Sequence, residues 1–199
     1  MAILEICNKN CELLFIDEPD SSLSGWSLIQ PEGPWISDEG TLEQFLSAEN
    51  QPSTFFQPEP RAGPDIVCIL KQGDRRIAVF IQAKLALDVN YKTAMTTTDS
   101  RQFFYGRTEA TRSQISRSGL KKNEAVKEAL ANYEAELGII VSFPYSFPDF
   151  NTSSRPSPNR FERIFDRRNI HKIIGEEYTP ESYPEENTSI AHHTGPASR

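Results

Sequence analysis

The sequence predicts an α/β fold in which a central mixed β-sheet is flanked by layers of helices. Residues 65–70 and 76–85 are apolar at mostly consecutive positions, which indicates strands that are covered on both faces. A third run of this kind, 137–143, follows the segment 109–136, whose apolar residues have the spacing of amphipathic helices. Because these strands and helices follow one another along the chain, we expect one layered core.

The N-terminal part of the chain is predicted to contain little regular structure. Two short apolar runs within residues 2–17 have the length of strands in a small hairpin. Residues 17–40 are rich in Asp, Ser, Pro and Gly, which are typical of turns. Trp26 and Trp35 lie in this segment, and we interpret them as anchors that pack a loop onto the core.

A short helix is predicted to follow this loop. Thr41 and Gln44 have the spacing of a capping box, in which each side chain bonds the backbone N–H of the other residue. The helix is expected to end near Asn50, because Pro52 does not continue it.

The remaining elements are predicted from turn residues and periodicity. Residues 71–75, Lys-Gln-Gly-Asp-Arg, have turn chemistry, so the two central strands are expected to pair as a hairpin. Segment 109–136 is predicted to form one or two helices, broken near Gly119. The C-terminal elements are expected to be a long loop, a short surface helix with alternating charges and a small edge strand, at 144–159, 161–167 and 170–174 respectively.

The length and composition predict one domain with a tail. A chain of 199 residues fits a single domain, which we place at residues 1–174 with its core in 41–174. Residues 175–199 contain almost no large apolar side chains, and such a segment does not offset the entropy lost on ordering. We therefore expect a disordered acidic tail.

Cysteine usage and hydropathy favour an intracellular protein. The apolar runs are far shorter than the roughly 20 residues of a membrane span. The N-terminus lacks the pattern of a signal peptide, and the three cysteines are expected to be reduced thiols without a disulfide partner. No membrane partner is therefore expected, and the oligomeric state is left open.

Charge is unevenly distributed along the chain. The net charge is −7, yet residues 61–128 contain 13 Lys or Arg against 7 Asp or Glu. Some of these basic residues are interleaved with aromatic ones, which is typical of a surface that follows a nucleic-acid backbone; they are Arg101, Arg107, Arg112, Arg117, Lys121 and Lys122. The alternative interpretation of the same residues is the solvated face of a helix.

The candidate site combines residues of the two central strands. Asp65 begins the first strand, and Gln82 and Lys84 end the second. Side chains alternate along a strand, so Gln82 and Lys84 share a face and can converge on Asp65 across the hairpin. Phosphodiester cleavage needs a divalent cation held by oxygen ligands, which Asp65, Gln82 and the Ala83 carbonyl would supply. Lys84 would then position the attacking water.

The segment Gly63-Pro64-Asp65, with Gln82-Ala83-Lys84 after it, resembles the signature of the PD-(D/E)XK nuclease superfamily. The longer run over residues 52–86, with Phe55-Phe56-Gln57-Pro58-Glu59 before the aspartate, is similar to fungal and oomycete Crinkler-like and transposon-hotspot proteins. The resemblance implies a restriction-endonuclease-like core and a nuclease that depends on Mg²⁺ or Mn²⁺. It also implies DNA as substrate, with RNA left open, and an effector that acts in a nucleus. Families of this type use a further glutamate from an upstream helix, for which Glu43 is the candidate.

One position departs from this signature. Gln82 stands where the superfamily usually has Asp or Glu, so the site has one negative charge fewer for a divalent ion. A catalytically decayed nuclease fold that binds nucleic acid or protein is therefore the alternative function. A degenerate or partial copy of a mobile-element protein is a third hypothesis. From spacing alone, an ordinary turn at Gly63-Pro64-Asp65 beside a lysine that reaches solvent also explains the pattern.

Overall fold

The computed structural model describes residues 25–84, 91–106, 113–142, 153–166 and 168. Within these residues eight strands form one sheet: β1 (Ser27–Leu28), β2 (Ile36–Ser37), β3 (Phe55–Phe56), β4 (Ile66–Gln72), β5 (Arg75–Lys84), β6 (Ala135–Ser142), β7 (Ser153–Ser157) and β8 (Arg160–Phe165). The same part of the chain contains the helices α1 (Leu42–Ser47), α2 (Tyr91–Thr96) and α3 (Arg117–Leu130), and a 3₁₀ turn at Ser100–Gln102.

The sheet is mixed, with strand order β2-β3-β4-β5-β6-β8-β7, and β1 also pairs with β4. Strands β4 and β5 form the predicted antiparallel hairpin, whose turn places Gly73 in the left-handed region at φ 62°. Strand β6 is parallel to both β5 and β8, so the carboxyl ends of these three strands lie at one edge. An α/β fold with a central mixed sheet is thus confirmed.

Both faces of the sheet are buried, as the consecutive apolar residues predict. On one face, Val79 and Leu137 pack in a cluster that includes Trp26. On the opposite face, Phe80 packs with residues of α1 and α3, and Ile140 packs with residues of α2. We call this second side the helical face. Alternate residues of β5 therefore belong to opposite halves of the core.

The first helix begins as predicted. The hydroxyl of Thr41 accepts a hydrogen bond from the backbone N–H of Gln44 at 3.2 Å, and the Gln44 side chain accepts one from the Thr41 N–H at 2.9 Å. Helix α1 ends at Ser47, slightly before the predicted end near Asn50. This reciprocal cap fixes where the chain enters the helical face.

The segment before α1 is more ordered than a loop, because it includes β1 and β2. Trp26 is 4% exposed and anchors this segment, as predicted. Trp35 remains 45% exposed, although its ring stacks on Phe55 with centroids 6.5 Å apart. The anchor interpretation therefore holds fully only for Trp26.

Helix α3 is continuous through Gly119, which corrects the predicted break. Ser116 caps the helix by accepting a hydrogen bond from the Gly119 N–H at 3.0 Å. A Cβ on Gly119 would lie 3.1 Å from Ile115 Cγ1 and 3.2 Å from the Phe104 carbonyl oxygen. Glycine is present because the first turn packs tightly against a loop, and one glycine near a capped end does not terminate a helix.

The prediction of a short helix at 161–167 is wrong, because this segment contains most of β8. Phe161, Ile164 and Phe165 have the spacing of a helix face, which explains the error. In the structure Phe161 and Phe165 pack on one face of the sheet and Ile164 on the other. The predicted loop at 144–159 is likewise corrected by β7.

Some predictions lie outside the described residues: the hairpin at 2–17, the edge strand at 170–174 and the tail at 175–199. Over the described part of the chain, no helix combines the length and apolarity needed to cross a membrane. Cys68 is buried and forms no disulfide within the described part of the chain, and the other two cysteines precede the first described residue.

Candidate functional site

Asp65 is positioned by a close backbone approach just before β4. Gly63 has φ 128°, and a Cβ on it would lie 2.5 Å from Phe103 Cδ1 and 2.7 Å from the carbonyl oxygen of Thr97. Only glycine fits this position without displacing its neighbours. The N–H of Asp65 then donates to the carbonyl oxygen of Ile81 at 2.9 Å, which sets Asp65 beside the end of β5.

The structure brings Gln82 and the backbone of Ala83 to Asp65, and strand alternation predicted the first of these contacts. The Gln82 side-chain amide donates to Asp65 Oδ2, and the Ala83 N–H donates to the same oxygen at 2.9 Å. Gln82 Nε2 also donates to the Ala83 carbonyl oxygen at 3.2 Å. Gln82 is 3% exposed, so its side chain is withdrawn from solvent, while Asp65 and Ala83 are exposed.

One oxygen of this group has no partner among the described residues. Gln82 Oε1 is buried and accepts no hydrogen bond from them, which is costly for an amide carbonyl. Exchanging the amide oxygen and nitrogen would place the carbonyl against the Asp65 carboxylate, so the observed orientation is the favourable one. The Gln82 amide nitrogen therefore occupies a position beside the Asp65 carboxylate that a bound cation would take.

These atoms suit a hard divalent cation in their chemistry. The carboxylate of Asp65, the orphaned Gln82 Oε1 and the Ala83 carbonyl are all oxygen ligands, the type that Mg²⁺ and Mn²⁺ prefer. Within the described residues, no group of three or more His, Cys, Asp or Glu side chains forms a metal cluster. An ion at this place would thus be held by one carboxylate and neutral oxygens.

Lys84 lies on the same face of β5 as Gln82, and its register partner on β6 is Ser142. Lys84 is partly buried, whereas Ser142 is fully buried and its hydroxyl has no hydrogen-bond partner within the part of the chain that the structure describes. Paired residues of parallel strands project to the same side, so Ser142 extends the site along the helical face. Ser142 was not among the predicted site residues, although it is a polar residue at the end of an apolar strand, as Lys84 is.

An acidic residue follows β8 at the same edge. Val141 pairs with Phe165, so Asp166 lies one residue beyond this pair, toward Ser142. Asp166 is fully buried and accepts hydrogen bonds from the Arg168 side chain, the shortest at 2.7 Å. Asp166 is therefore neutralised locally and is a structural neighbour of the site.

Glu43 is exposed in the first turn of α1, and among the described residues it has no hydrogen bond or ion pair with Asp65, Gln82 or Lys84. Glu59, which was not predicted as a site residue, is the carboxylate that connects α1 with α3 here. Its two oxygens accept from the N–H of Leu42 at 3.0 Å and from Lys122 Nζ at 3.1 Å. The catalytic role of Glu43 stays a prediction.

The predicted nucleic-acid-binding residues fall into separate groups. Arg117 and Lys121 are exposed at the start of α3, and Lys122 follows them. Arg107 and Arg112 lie outside the described residues. The aromatic residues Phe103 and Phe104 of the predicted surface are buried in the core of the helical face, so they are not stacking platforms.

Arg101 forms an ion pair with Asp99, in which Arg101 Nη2 lies 2.8 Å from Asp99 Oδ2. Burial alone would raise the pKa of Asp99, but hydrogen bonds from Arg101 and the charge of Arg160 together hold that pKa below its ordinary value. A depressed carboxyl pKa stabilises the fold above the unfolded-state pKa, and this contribution is lost as the pH falls. Arg101 thus has a structural role besides its predicted one.

The orphaned hydroxyl leads to a stability prediction. Ser142→Ala is expected to leave the free energy of unfolding unchanged or to raise it by up to about 1 kcal/mol, because an unpaired buried hydroxyl is desolvated without compensation. Ser100→Ala is the matched control, since Ser100 Oγ donates to Glu136 Oε1 at 2.8 Å. This control should lose about 1 kcal/mol in urea unfolding. An equal loss in Ser142→Ala would contradict the prediction.

In comparisons with known proteins, no family model, no curated protein and no solved structure matches this chain. The chemistry of the site therefore rests on its own residues.

Proposed function

We propose that this protein is a metal-dependent phosphodiesterase that cleaves DNA, with a PD-(D/E)XK-like core. The observation that carries the proposal is the group formed by Asp65, Gln82 and Ala83, together with Lys84 on the same face of β5. A carboxylate and two neutral oxygens beside a lysine, at the edge of a mixed sheet, match the requirements of phosphodiester hydrolysis. The resemblance over residues 52–86 agrees with this chemistry.

Asp65, Gln82 Oε1 and the Ala83 carbonyl would hold the ion. When bound, a divalent cation neutralises the phosphate and lowers the pKa of an attacking water. Asp65 supplies the only negative charge among these ligands, and its place is fixed by the Ala83 N–H. Gln82 contributes its oxygen after its amide turns, since in this structure the amide nitrogen faces Asp65.

Lys84 completes the site as a fixed cation. It is the last residue of β5, directly after the exposed Ala83. From this position its ammonium orients the water and stabilises the charge that develops on the phosphate oxygens. The partly buried stem limits the positions that the ammonium explores, which favours a defined geometry.

The test is cleavage of plasmid and single-stranded DNA in the presence of Mg²⁺ or Mn²⁺. We expect Asp65→Ala to remove metal-dependent cleavage, and Lys84→Ala to lower its rate by about 10²- to 10³-fold, the usual effect of losing one electrostatic stabiliser. Lys71→Ala is the matched control, because Lys71 is an exposed lysine at the other end of the same hairpin. This control should cleave as the wild type does.

Two results would contradict the proposal. One is that folded wild-type protein cleaves neither plasmid nor single-stranded DNA, whether Mg²⁺ or Mn²⁺ is present. The other is cleavage that persists in both Asp65→Ala and Lys84→Ala, which would place the activity elsewhere or in a contaminant.

The orientation of Gln82 also supports a second function, a binding module on a decayed nuclease fold. The amide donates to Asp65 without any metal, so this carboxylate has a hydrogen-bond donor in the metal-free state. This function predicts salt-sensitive binding of DNA without cleavage, because phosphate contacts release counterions. Lys84→Ala would then weaken binding by no more than one phosphate contact.

A further inference from the structure

A groove lies beside the candidate site, between the loop before β4 and the start of α3. Its main cavity has a volume of about 730 Å³. This is within the range of roughly 300 to 1,000 Å³ that is usual for ligand pockets. A smaller cavity adjoins it, and the two share Arg61, Tyr105 and Gly106 as lining residues. We call the combined space the Arg61 groove.

The smaller cavity of the Arg61 groove is lined by a residue that helps to position Asp65. This residue is Gly63, two residues before Asp65 in the sequence. Thr93 and Thr96 of α2 also line this cavity. A ligand in the smaller cavity would therefore contact the segment that positions Asp65.

The lining of the main cavity is cationic and partly apolar. Arg61 and Lys122 carry positive charges, and Lys122 Nζ is already paired with Glu59 Oε1 at 3.1 Å. None of the described residues that line the cavity is acidic. The buried Phe104 contributes only its small exposed part, and Lys122 Nζ lies 5.5 Å from the centroid of its ring. Tyr105 is partly exposed and lines both cavities. Cationic and aromatic groups side by side are the features that bind unpaired nucleotides.

Arg61 is held in the groove by an unusual backbone. Its φ is 72°, and that of Phe104 is 66°, both in the left-handed region that non-glycine residues rarely adopt. The Phe104 N–H donates to the Arg61 carbonyl oxygen at 2.9 Å, so the two residues fix one another. Backbone strain of this kind is common where a side chain must be presented to a ligand.

We propose that the Arg61 groove binds a single-stranded segment of nucleic acid. Arg61 contacts a phosphate, and a base packs against Tyr105. Unpaired bases expose the faces that such a lining contacts, whereas a duplex hides them in its stack. The helix terminus is not the binding group, because Ser116 already caps α3 internally. The inference shares its ligand class with the proposed function but does not depend on cleavage.

The test is binding of a fluorescent oligothymidylate, measured by anisotropy in EDTA so that no metal-dependent cleavage occurs. Arg61→Asn removes the guanidinium while keeping a residue that tolerates positive φ. It is expected to weaken binding by about threefold to tenfold and to reduce the salt slope by about 0.7, the value for one phosphate contact to a single strand. Tyr105→Ala is expected to weaken binding by about tenfold.

Arg75→Gln is the control, since Arg75 is an exposed arginine at the β4–β5 turn, and it should bind as the wild type does. Melting temperatures of all variants show that each is folded. The proposal is overturned if wild-type protein does not bind the oligonucleotide at low salt, or if both groove variants bind with wild-type affinity. It is also overturned if a duplex of the same length binds more tightly than the single strand. If the wild type binds the oligonucleotide but does not cleave DNA with either metal, the proposed nuclease function is refuted, whereas the proposal that the Arg61 groove binds single strands is not.

Discussion

Replacing Gln82 by glutamate is expected to make the stability of the fold depend on divalent metal. The substitution removes the amide that donates to Asp65 and to the Ala83 carbonyl, and it adds a second carboxylate at a position that is 3% exposed. Without metal this should cost on the order of 3 kcal/mol at neutral pH, as for other uncompensated buried charges. With metal, the added charge should raise the affinity for Mg²⁺ by about tenfold or more.

The pH dependence of Gln82→Glu follows from the same contacts. Two adjacent carboxylates raise the pKa of the pair in the folded state above the unfolded value of about 4.3 for glutamate. For an acid with a raised folded-state pKa, the free energy of unfolding is highest when both states are protonated. It falls as the pH rises through the unfolded-state pKa, and the loss is complete above the folded-state pKa. Wild-type protein has no such contribution from glutamine.

Urea unfolding of Gln82→Glu and wild type, with and without Mg²⁺, measures both effects. An ion that binds only the folded state raises stability by mass action, so the midpoint of the variant should rise with Mg²⁺ concentration more than that of wild type. Gln44→Glu is a control, since Gln44 is exposed and a glutamate preserves the capping box. Equal midpoints of Gln82→Glu with and without millimolar Mg²⁺ would argue against a metal site at Asp65.

Replacing Arg160 by methionine is expected to destabilise the sheet strongly, because it removes a buried charge that pairs with two glutamates. Arg160 is 4% exposed and donates to the Thr98 carbonyl oxygen at 3.0 Å. It also forms ion pairs with Glu136 at 3.4 Å and with Glu162 at 3.3 Å. Removing the guanidinium leaves two partly buried carboxylates without their counter-charge, at a cost of about 3 kcal/mol or more.

The close packing around Arg160 strengthens this expectation. A Cβ on Gly138 would lie 2.9 Å from Arg160 Nη2 and 2.7 Å from Thr98 Oγ1, so the guanidinium lies directly over the glycine. Methionine has no donors with which to satisfy Thr98, and its shape does not reproduce a planar group.

Arg75→Met is the matched control for Arg160→Met. Arg75 also pairs with a glutamate, Glu134, but both side chains are about half exposed, at 53% and 42%. Exposed ion pairs contribute little to stability, because water solvates both charges well. We therefore expect a clear shift of the urea midpoint for Arg160→Met and almost none for Arg75→Met. Similar shifts for the two variants would show that burial of Arg160 is not what makes its ion pairs important.

Local sequence signals predicted those parts of the fold that short-range physics decides. The Thr41–Gln44 capping box and the hairpin turn at Gly73 were predicted because each needs only a few neighbouring residues. The convergence of Gln82 on Asp65 was predicted for the same reason, since strand alternation across a hairpin determines it.

The errors in the prediction have long-range causes. The spacing of Phe161, Ile164 and Phe165 is that of a helix face. In the structure these residues belong to a strand that pairs in parallel with β6 and is buried on both faces. Ser142 was not predicted as a site residue, because its place in the site depends on the pairing of β6 with β5, which sets it beside Lys84. Likewise, nothing local indicates that Arg61 and Phe104 adopt positive φ, because their mutual hydrogen bond spans a long stretch of chain.

Short stretches of sequence were sufficient to predict the fold class, the central hairpin and the contact of Asp65 with Gln82, since apolar runs, turn residues and alternation act over a few residues. Only the packing of distant segments shows that Arg160 is buried among carboxylates, that Ser142 extends the site and that Arg61 lines a groove. These features depend on which strands become neighbours and on which side chains lose contact with water. Parallel pairing of β5, β6 and β8 joins distant segments, and that choice reflects the free energy of the whole core.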